Sequence, residues 1–172
     1  MIRAFNGKTA NISESALINE TAYIVGDVEI GENSSVWPGA VIRGDLSGAV
    51  IGSKMTIGRN THIEDNVVVH YTSSIGNNVV IGHGCVIETE SIGNNVLIGD
   101  NATVLAYGTI GSNCIIAAGS TVKEGMEIPD NSFVTGSPAT IKRRVTEDQM
   151  KMLDGVLVHI ARLIAAYKNQ EC

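Results

Sequence analysis

The sequence has little of what would place it in several common protein classes. Aromatic residues make up only 4% of its 172 residues, so its core must use small and aliphatic side chains. No apolar run approaches the ~20 residues of a membrane-spanning helix, and no signal pattern opens the chain. The net charge of −6 offers no basic surface for a nucleic acid or a membrane. Three cysteines, an odd number, do not suggest a disulfide framework, so we expect a cytoplasmic protein.

A six-residue repeat dominates what is present. Each unit opens on a bulky aliphatic residue, often followed by glycine, and its fifth residue is small. The fourth residue is often Asn or Gly, the types that tolerate a left-handed backbone at a tight corner. The unit-opening residues are Ile30, Val36, Ile42, Ile51, Ile57, Ile63, Val69, Ile75, Ile81, Ile87, Ile98, Val104, Ile110, Ile116, Val122 and Ile128.

This period predicts an all-β solenoid, because it fits neither an amphipathic helix nor a simple alternating strand. We expect the first and fifth residues to point inward and three units to close one triangular coil. Successive coils then stack as parallel strands about 4.8 Å apart. Two units depart from six residues: the one from Ile42 to Val50 has nine, and the one from Ile87 to Ser91 has five. The longer unit predicts a small outward loop at residues 46–49.

The pattern changes after Pro138. Thr146 and Gln149 are spaced as a helix capping box. Apolar residues then recur at helical spacing, which predicts a C-terminal α-helix over residues 146–169 that packs on the prism. We therefore expect one domain over residues 1–172, with the β-helix at about 10–138. The apolar positions of the helix are Met150, Leu153, Leu157, Ile160, Ile164 and Tyr167.

Three residues are candidate metal ligands. His70 and Glu88 are 18 residues apart, one full coil, so they should lie on one face on neighbouring coils. His83 belongs to a different face, and in a threefold trimer His83 of an adjacent chain could complete the site. Bonds near ~2.1 Å to one ion are then within reach of all three side chains. The spacing also allows the alternative that these are solvated surface residues.

The chain resembles the γ-class carbonic anhydrases along nearly its whole length. The similarity is carried by Val41-Ile42-Arg43-Gly44-Asp45, by the segment from Asn60 to His70, by Ile81-Gly82-His83-Gly84 and by Gly136-Ser137-Pro138-Ala139. The resemblance implies a left-handed β-helix and a homotrimer with zinc or iron(II) at each interface. It also implies reversible hydration of CO2, with CO2 and bicarbonate as the small-molecule substrates.

The chain departs from that family at the metal site. His70 and His83 match two of the three family histidines, but the third position is Glu88. In the intact family site, the metal lowers the pKa of a bound water so that hydroxide attacks CO2. A carboxylate ligand adds negative charge beside the ion, so we expect weaker hydration at neutral pH. Two histidines and a carboxylate nevertheless suit both zinc and non-haem iron(II).

The resemblance also implies roles for neighbouring residues. Glu64 stands where the family has a glutamine that orients the metal-bound water, which makes it the candidate base. Arg43, Asp45 and Asp65 match an interfacial ion-pair network and are further candidates for the catalytic site. The loop after His70 is short, and the acidic loop of the archaeal type is absent.

Three functional classes remain open from the sequence. The first is a carbonic anhydrase-like metalloenzyme with weak or altered activity. The second is a hexapeptide acyltransferase that uses an acyl-CoA, although such enzymes usually carry a long loop with a catalytic histidine. The third is a non-catalytic, metal-binding trimer. Hydration with a bound metal selects the first class, acyl-CoA binding selects the second, and neither result selects the third.

Overall fold

The computed structural model describes residues 1–170 and places 23 strands and one helix there. Cys172, to which no role is assigned, lies outside the described residues. The helix α1 spans Glu147–Lys168. The strands are β1 (Ile2–Arg3), β2 (Asn11–Ile12), β3 (Leu17–Ile18), β4 (Tyr23–Gly26), β5 (Val28–Ile30), β6 (Ser35–Val36), β7 (Val41–Ser47), β8 (Val50–Ile51), β9 (Met55–Ile57), β10 (His62–Ile63), β11 (Val68–Tyr71), β12 (Ser74–Ile75), β13 (Val80–Ile81), β14 (Val86–Ile87), β15 (Ser91–Ile92), β16 (Leu97–Ile98), β17 (Thr103–Val104), β18 (Thr109–Ile110), β19 (Ile115–Ile116), β20 (Thr121–Val122), β21 (Glu127–Ile128), β22 (Ser132–Gly136) and β23 (Ala139–Arg144).

The strands form three sheets, which are the three faces of a prism. The first sheet has the order β1-β4-β7-β11-β14-β17-β20, and the third has β2-β5-β9-β12-β15-β18-β21. The second sheet runs β3-β6-β10-β13-β16-β19-β22-β23. All neighbours pair in parallel except β8 on β7 and β23 on β22. The chain therefore winds as a parallel β-solenoid of about seven turns, as the six-residue period predicts.

The interior is a stack of aliphatic side chains. Ile24, Ile42 and Val69 follow one another up the first sheet, and each is completely buried. The small fifth residues, among them Cys85 and Cys114, are also fully buried. Burial raises the pKa of the Cys85 thiol to about 11, so it stays protonated at neutral pH. Both cysteines are core residues, in agreement with the sequence prediction.

The assignment of Ile51 to an inward position is wrong. Strands β7 and β8 form an antiparallel hairpin in which Leu46 pairs with Ile51 and Ser47 with Val50. Ile51 is 73% exposed. The buried residue Met55 takes the inward position that the repeat predicted for Ile51. The predicted outward loop at residues 46–49 is thus part of this hairpin, whose tip is Gly48-Ala49. Periodicity alone missed it because Ile51-Gly52 imitates the start of a unit.

Helix α1 covers the second sheet. It begins with the predicted capping box, in which the Thr146 side chain accepts from the backbone N–H of Gln149 and the Gln149 side chain accepts in return. Its buried residues pack on Trp37, Val80 and partly buried Leu97. At 22 residues it is not apolar enough to cross a membrane. The buried residues of α1 are Leu153, Leu157, Ile160 and Ile164.

Candidate metal centre

His70 and Glu88 lie side by side on the first sheet. The parallel pairing of β11 with β14 aligns Val69 with Ile87, which puts the two side chains on neighbouring coils of one face. The Nδ1 atom of His70 and the Oε1 atom of Glu88 are 4.0 Å apart. Two ligands bound tetrahedrally at about 2.1 Å from one ion lie about 3.4 Å apart, so a small rotation brings this pair to ligating distance.

The other nitrogen of His70 is buried without compensation. Its Nε2 atom has no hydrogen-bond partner among residues 1–170. A buried polar atom left alone costs free energy, so natural structures rarely tolerate one without a reason. The imidazole of His70 and the carboxylate of Glu88, which faces Nδ1, are donors of the kind that bind zinc or iron(II).

His83 lies at the corner between the second and first sheets, and acidic groups surround it. The Nδ1 atom of His83 is 3.3 Å from Oδ2 of Asp65. The backbone N–H of His83 donates to Oδ1 of Asp100 over 2.9 Å. Ligand atoms of His83, Asp65 and Glu64 all lie within 4.8 Å of one another. A carboxylate on Nδ1 fixes the imidazole and leaves Nε2 to act as a ligand.

Glu64 lies beside this corner at the end of a groove between the second sheet and α1. The groove has a volume of about 480 Å³. Partial burial raises the pKa of the Glu64 carboxyl to about 7, although the nearby His83 opposes that rise. Glu64 can therefore hold or release a proton near neutral pH. The apolar wall of the groove includes Trp37, Leu97, Val156, Leu163 and Tyr167.

Arg43 and Asp45 form an ion pair one coil before His70. The Arg43 guanidinium donates from Nε and from its NH2 group to the two carboxylate oxygens of Asp45, at 3.2 and 2.8 Å. These hydrogen bonds hold the pKa of the Asp45 carboxyl below its usual range. The strand register pairs Arg43 with His70, so the ion pair borders the His70–Glu88 pair. Asp65, which we grouped with Arg43 and Asp45, contacts His83 instead within the chain.

The structure thus divides the predicted site residues into two groups. His70, Glu88, Arg43 and Asp45 lie on the first sheet, whereas His83, Glu64 and Asp65 lie at the corner of the second. Among the described residues of one chain, His83, His70 and Glu88 do not form a cluster whose ligand atoms lie within 4.8 Å of one another. The candidate ligands of a single chain therefore lie in two separate groups, which we term half-sites.

Sequence reasoning gave no role to Asp100 or to His62. Asp100 is almost one coil after His83, and this spacing was the available signal for its contact. His62 is completely buried beneath α1, and its Nδ1 atom is 2.8 Å from the Ser35 hydroxyl. Burial lowers the pKa of His62 to about 4. No pattern in the sequence distinguishes this histidine from an exposed one. His159 is exposed and borders the groove.

Comparison with known proteins identifies the repeat. The family model for bacterial transferase hexapeptide (six repeats) matches residues 9–44, 54–89 and 91–124. A hexapeptide transferase family protein from Anaplasma phagocytophilum has a solved structure that superposes with a TM-score of 0.86 at 31% identity. The superposition covers 96% of this chain and 97% of that one. The predicted left-handed winding of the β-helix agrees with the fold of the matching hexapeptide-repeat structures.

Curated relatives carry carbonic anhydrase names. A probable carbonic anhydrase of Methanocaldococcus jannaschii is 47% identical, over 83% of this chain and 88% of its own length. The mitochondrial gamma carbonic anhydrase 2 of Arabidopsis thaliana is 31% identical over 83% of this chain. The chain spans only 53% of the length of that plant relative.

Proposed function

The chain belongs to the hexapeptide-repeat family as a γ-carbonic anhydrase-like member, and from this premise we propose that it is a metal-dependent hydratase of CO2. The two half-sites carry the proposal. His70 and Glu88 supply two ligands from one chain, and His83 of a second chain supplies the third. The ion would be zinc or iron(II), because the donor set suits both.

A homotrimer is part of the proposal, since one chain cannot bring the half-sites together. The character of the three faces supports it. The outward row of the second sheet is covered by α1, and the outward row of the third sheet is mostly polar, as Thr56, Ser74 and Ser91 show. The first sheet instead presents an uncovered, largely apolar row that a neighbouring subunit would bury. This row consists of Tyr23, Val41, Val68, Val86 and Thr103.

The surrounding residues fit the proposed chemistry. A bound metal ion would act as a Lewis acid that lowers the pKa of a water molecule. Asp65 orients the imidazole of His83 by contacting the Nδ1 atom of that ring. Glu64 would accept the proton of this water molecule, because the Glu64 carboxyl titrates near neutral pH. The negative charge of Glu88 weakens the Lewis acid, so we expect hydration to be slow at neutral pH and faster at higher pH.

Metal content is the direct test. The protein, purified without added metal or chelator, should contain about one zinc or iron for each chain. His83→Ala and Glu88→Ala should each strip the ion, and CO2 hydration should be lost with it. Glu127→Ala removes an exposed carboxylate from the third sheet and is the matched control for Glu88→Ala. A wild-type protein that is empty and cannot be loaded would refute the proposal.

A coenzyme A-dependent acyl transfer is the second candidate, supported by the similarity to a hexapeptide transferase family protein. The hairpin formed by β7 and β8 is the only excursion from the first sheet among residues 1–170, and it is short. Because hexapeptide acyltransferases usually carry a long loop with a catalytic histidine, the short hairpin favours the hydratase. Saturable binding of acetyl-CoA by the metal-free protein would reverse the preference, and metal binding without either activity would indicate a non-catalytic trimer. The cytoplasmic location stays a prediction.

A further inference from the structure

The groove between the second sheet and α1 is large enough to hold a small organic molecule. Its volume of about 480 Å³ falls within the roughly 300–1,000 Å³ that is typical of pockets for such ligands. A molecule of CO2 would fill only a small part of this space. Both walls belong to one chain, so each subunit carries the whole groove.

One wall of the groove is apolar and partly aromatic. The rings of Trp37 and Tyr167 meet edge to face, with their centroids 5.4 Å apart. The indole N–H of Trp37 already donates to the Ser35 hydroxyl over 2.8 Å, so Trp37 offers the groove ring surface only. Leu97 of the sheet and Val156 of the helix also line the groove. This wall suits the hydrocarbon part of a ligand.

The opposite part of the lining is acidic, with the carboxylates of Glu64, Asp65 and Asp100. Besides burial, the like charges of Asp65 and Asp100 help to raise the pKa of the Glu64 carboxyl, which shows that the three groups are close. His83 is paired with Asp65. Among residues 1–170, no Lys or Arg lines the groove or forms a salt bridge with any of the three carboxylates. This charge favours a cationic ligand and disfavours a carboxylate or a phosphate.

The negative charge of Asp100 is not required by the fold. Its Oδ1 atom accepts from the backbone N–H of His83 over 2.9 Å. The amide oxygens of Asn77 and Asn94 accept the same kind of backbone bond on other coils, at 2.9 and 2.8 Å. An uncharged amide would therefore serve the backbone equally well at position 100. The second carboxylate oxygen of Asp100 makes no hydrogen bond within residues 1–170, so it can accept one from a ligand.

We propose that the groove binds a primary ammonium ion that carries an apolar, aromatic body. The ammonium group donates to the carboxylates of the acidic part, that of Asp100 among them. The body lies against Trp37 and Leu97. The site goes beyond the proposed hydration of CO2, because it recognises a second molecule. It includes neither ligand of the half-site on the first sheet, and it is complete without a metal ion.

Phenethylammonium is the probe, and the fluorescence of Trp37 reports its binding. Trp37 is the only tryptophan of the chain, so the signal comes from the groove wall. We titrate the full-length protein at neutral pH, before and after treatment with a chelator. Wild type should show a saturable change in both states. Phenylacetate and phenethyl alcohol have similar bodies but no positive charge, and they should bind more weakly by about threefold or more.

Matched variants separate binding from folding. Asp100→Asn should keep the melting temperature of wild type and weaken binding of the probe by about threefold or more. Asp130→Asn is the control, because Oδ1 of Asp130 accepts from the backbone N–H of Ser112 over 2.7 Å but Asp130 does not line the groove. This control should leave the affinity unchanged. Val156→Phe fills the groove and should weaken binding by about tenfold.

Three results would overturn the proposal: no saturable change in wild type, equal affinity for phenylacetate, or unchanged affinity in both Asp100→Asn and Val156→Phe. Binding that disappears with the chelator would place the probe on a metal ion, and this result would overturn it as well. The hydratase is tested by metal content and CO2 hydration in the absence of the probe, so the two proposals can fail separately.

Discussion

The buried imidazole of His62 makes the stability of this fold depend on pH. The indole N–H of Trp37 donates to the Ser35 hydroxyl, and that hydroxyl lies 2.8 Å from Nδ1 of His62. The Nε2 atom of His62 has no partner among the described residues. Protonation would put a charge under α1 with little to compensate it. This is why the folded chain has a pKa of about 4 at His62.

The sign of the effect follows from proton linkage. Because the pKa of His62 is about 4 in the folded chain and 6.5 for the free side chain, the unfolded chain binds the proton first. Stability is full above pH 6.5 and is lost as the pH falls from 6.5 towards 4. A shift of this size corresponds to about 3 kcal/mol in total, of which about 2 kcal/mol is lost between about pH 7 and pH 5.

Glu64 opposes His62 in the same pH range. Its raised pKa means that the folded chain binds the proton first, so acidification stabilises the fold through this residue. The pH profile of wild type is therefore a sum of two opposed effects. A variant that cannot titrate at position 62 is needed to separate them.

Denaturant unfolding of wild type and His62→Gln at fixed protein concentration isolates the histidine. The free-energy difference between wild type and the variant should move by about 2 kcal/mol in favour of His62→Gln between about pH 7 and pH 5. The ring of His62 should also remain neutral in an NMR titration down to about pH 5. A difference that does not change with pH, or a His62 that titrates near 6.5, would refute the reasoning.

Three further outcomes are expected. Glu64→Gln should stabilise the fold at about pH 8 relative to wild type. It should also remove an inflection near pH 7 from the pH profile of CO2 hydration, and an unchanged profile would exclude Glu64 as the base. Glu88→His should increase hydration at neutral pH by about tenfold or more in stopped-flow assays, because a neutral ligand restores Lewis acidity, whereas a decrease would contradict the assigned ligand set. Leu157→Ala should cost about 2–4 kcal/mol in unfolding experiments, while Leu163→Ala, at a position 40% exposed, should cost much less; equal losses would contradict the packing of α1.

Much of the fold could be predicted because one physical rule repeats along the chain. The aliphatic residues that open each unit, such as Ile63 and Ile81, are completely buried. The capping box of α1 was equally clear, since Thr146 and Gln149 act over a single turn. The rule failed at Ile51 because Ile51-Gly52 has the sequence of the start of a repeat unit but lies in a hairpin outside the coil. Only the antiparallel pairing with Leu46 distinguishes the two.

The site was less accessible to sequence reasoning. Coil arithmetic placed His70 beside Glu88 because 18 residues always return to the same face. Asp65 and His83 are also 18 residues apart, so the same arithmetic places them side by side, but the resemblance led us to group Asp65 with Arg43 and Asp45 instead. The burial of His62 depends on where α1 lies, which no local pattern specifies.

The shared site can be tested most directly by mixing two defective subunits. His83→Ala chains keep His70 and Glu88, and Glu88→Ala chains keep His83, so neither homotrimer can hold the ion. When equal amounts are unfolded together and refolded, about a quarter of the interfaces in randomly mixed trimers join two intact half-sites. The account predicts that metal content and CO2 hydration return to about a quarter of the wild-type values. Metal retained by Glu88→Ala alone, or no recovery in mixed trimers that have formed, would contradict it.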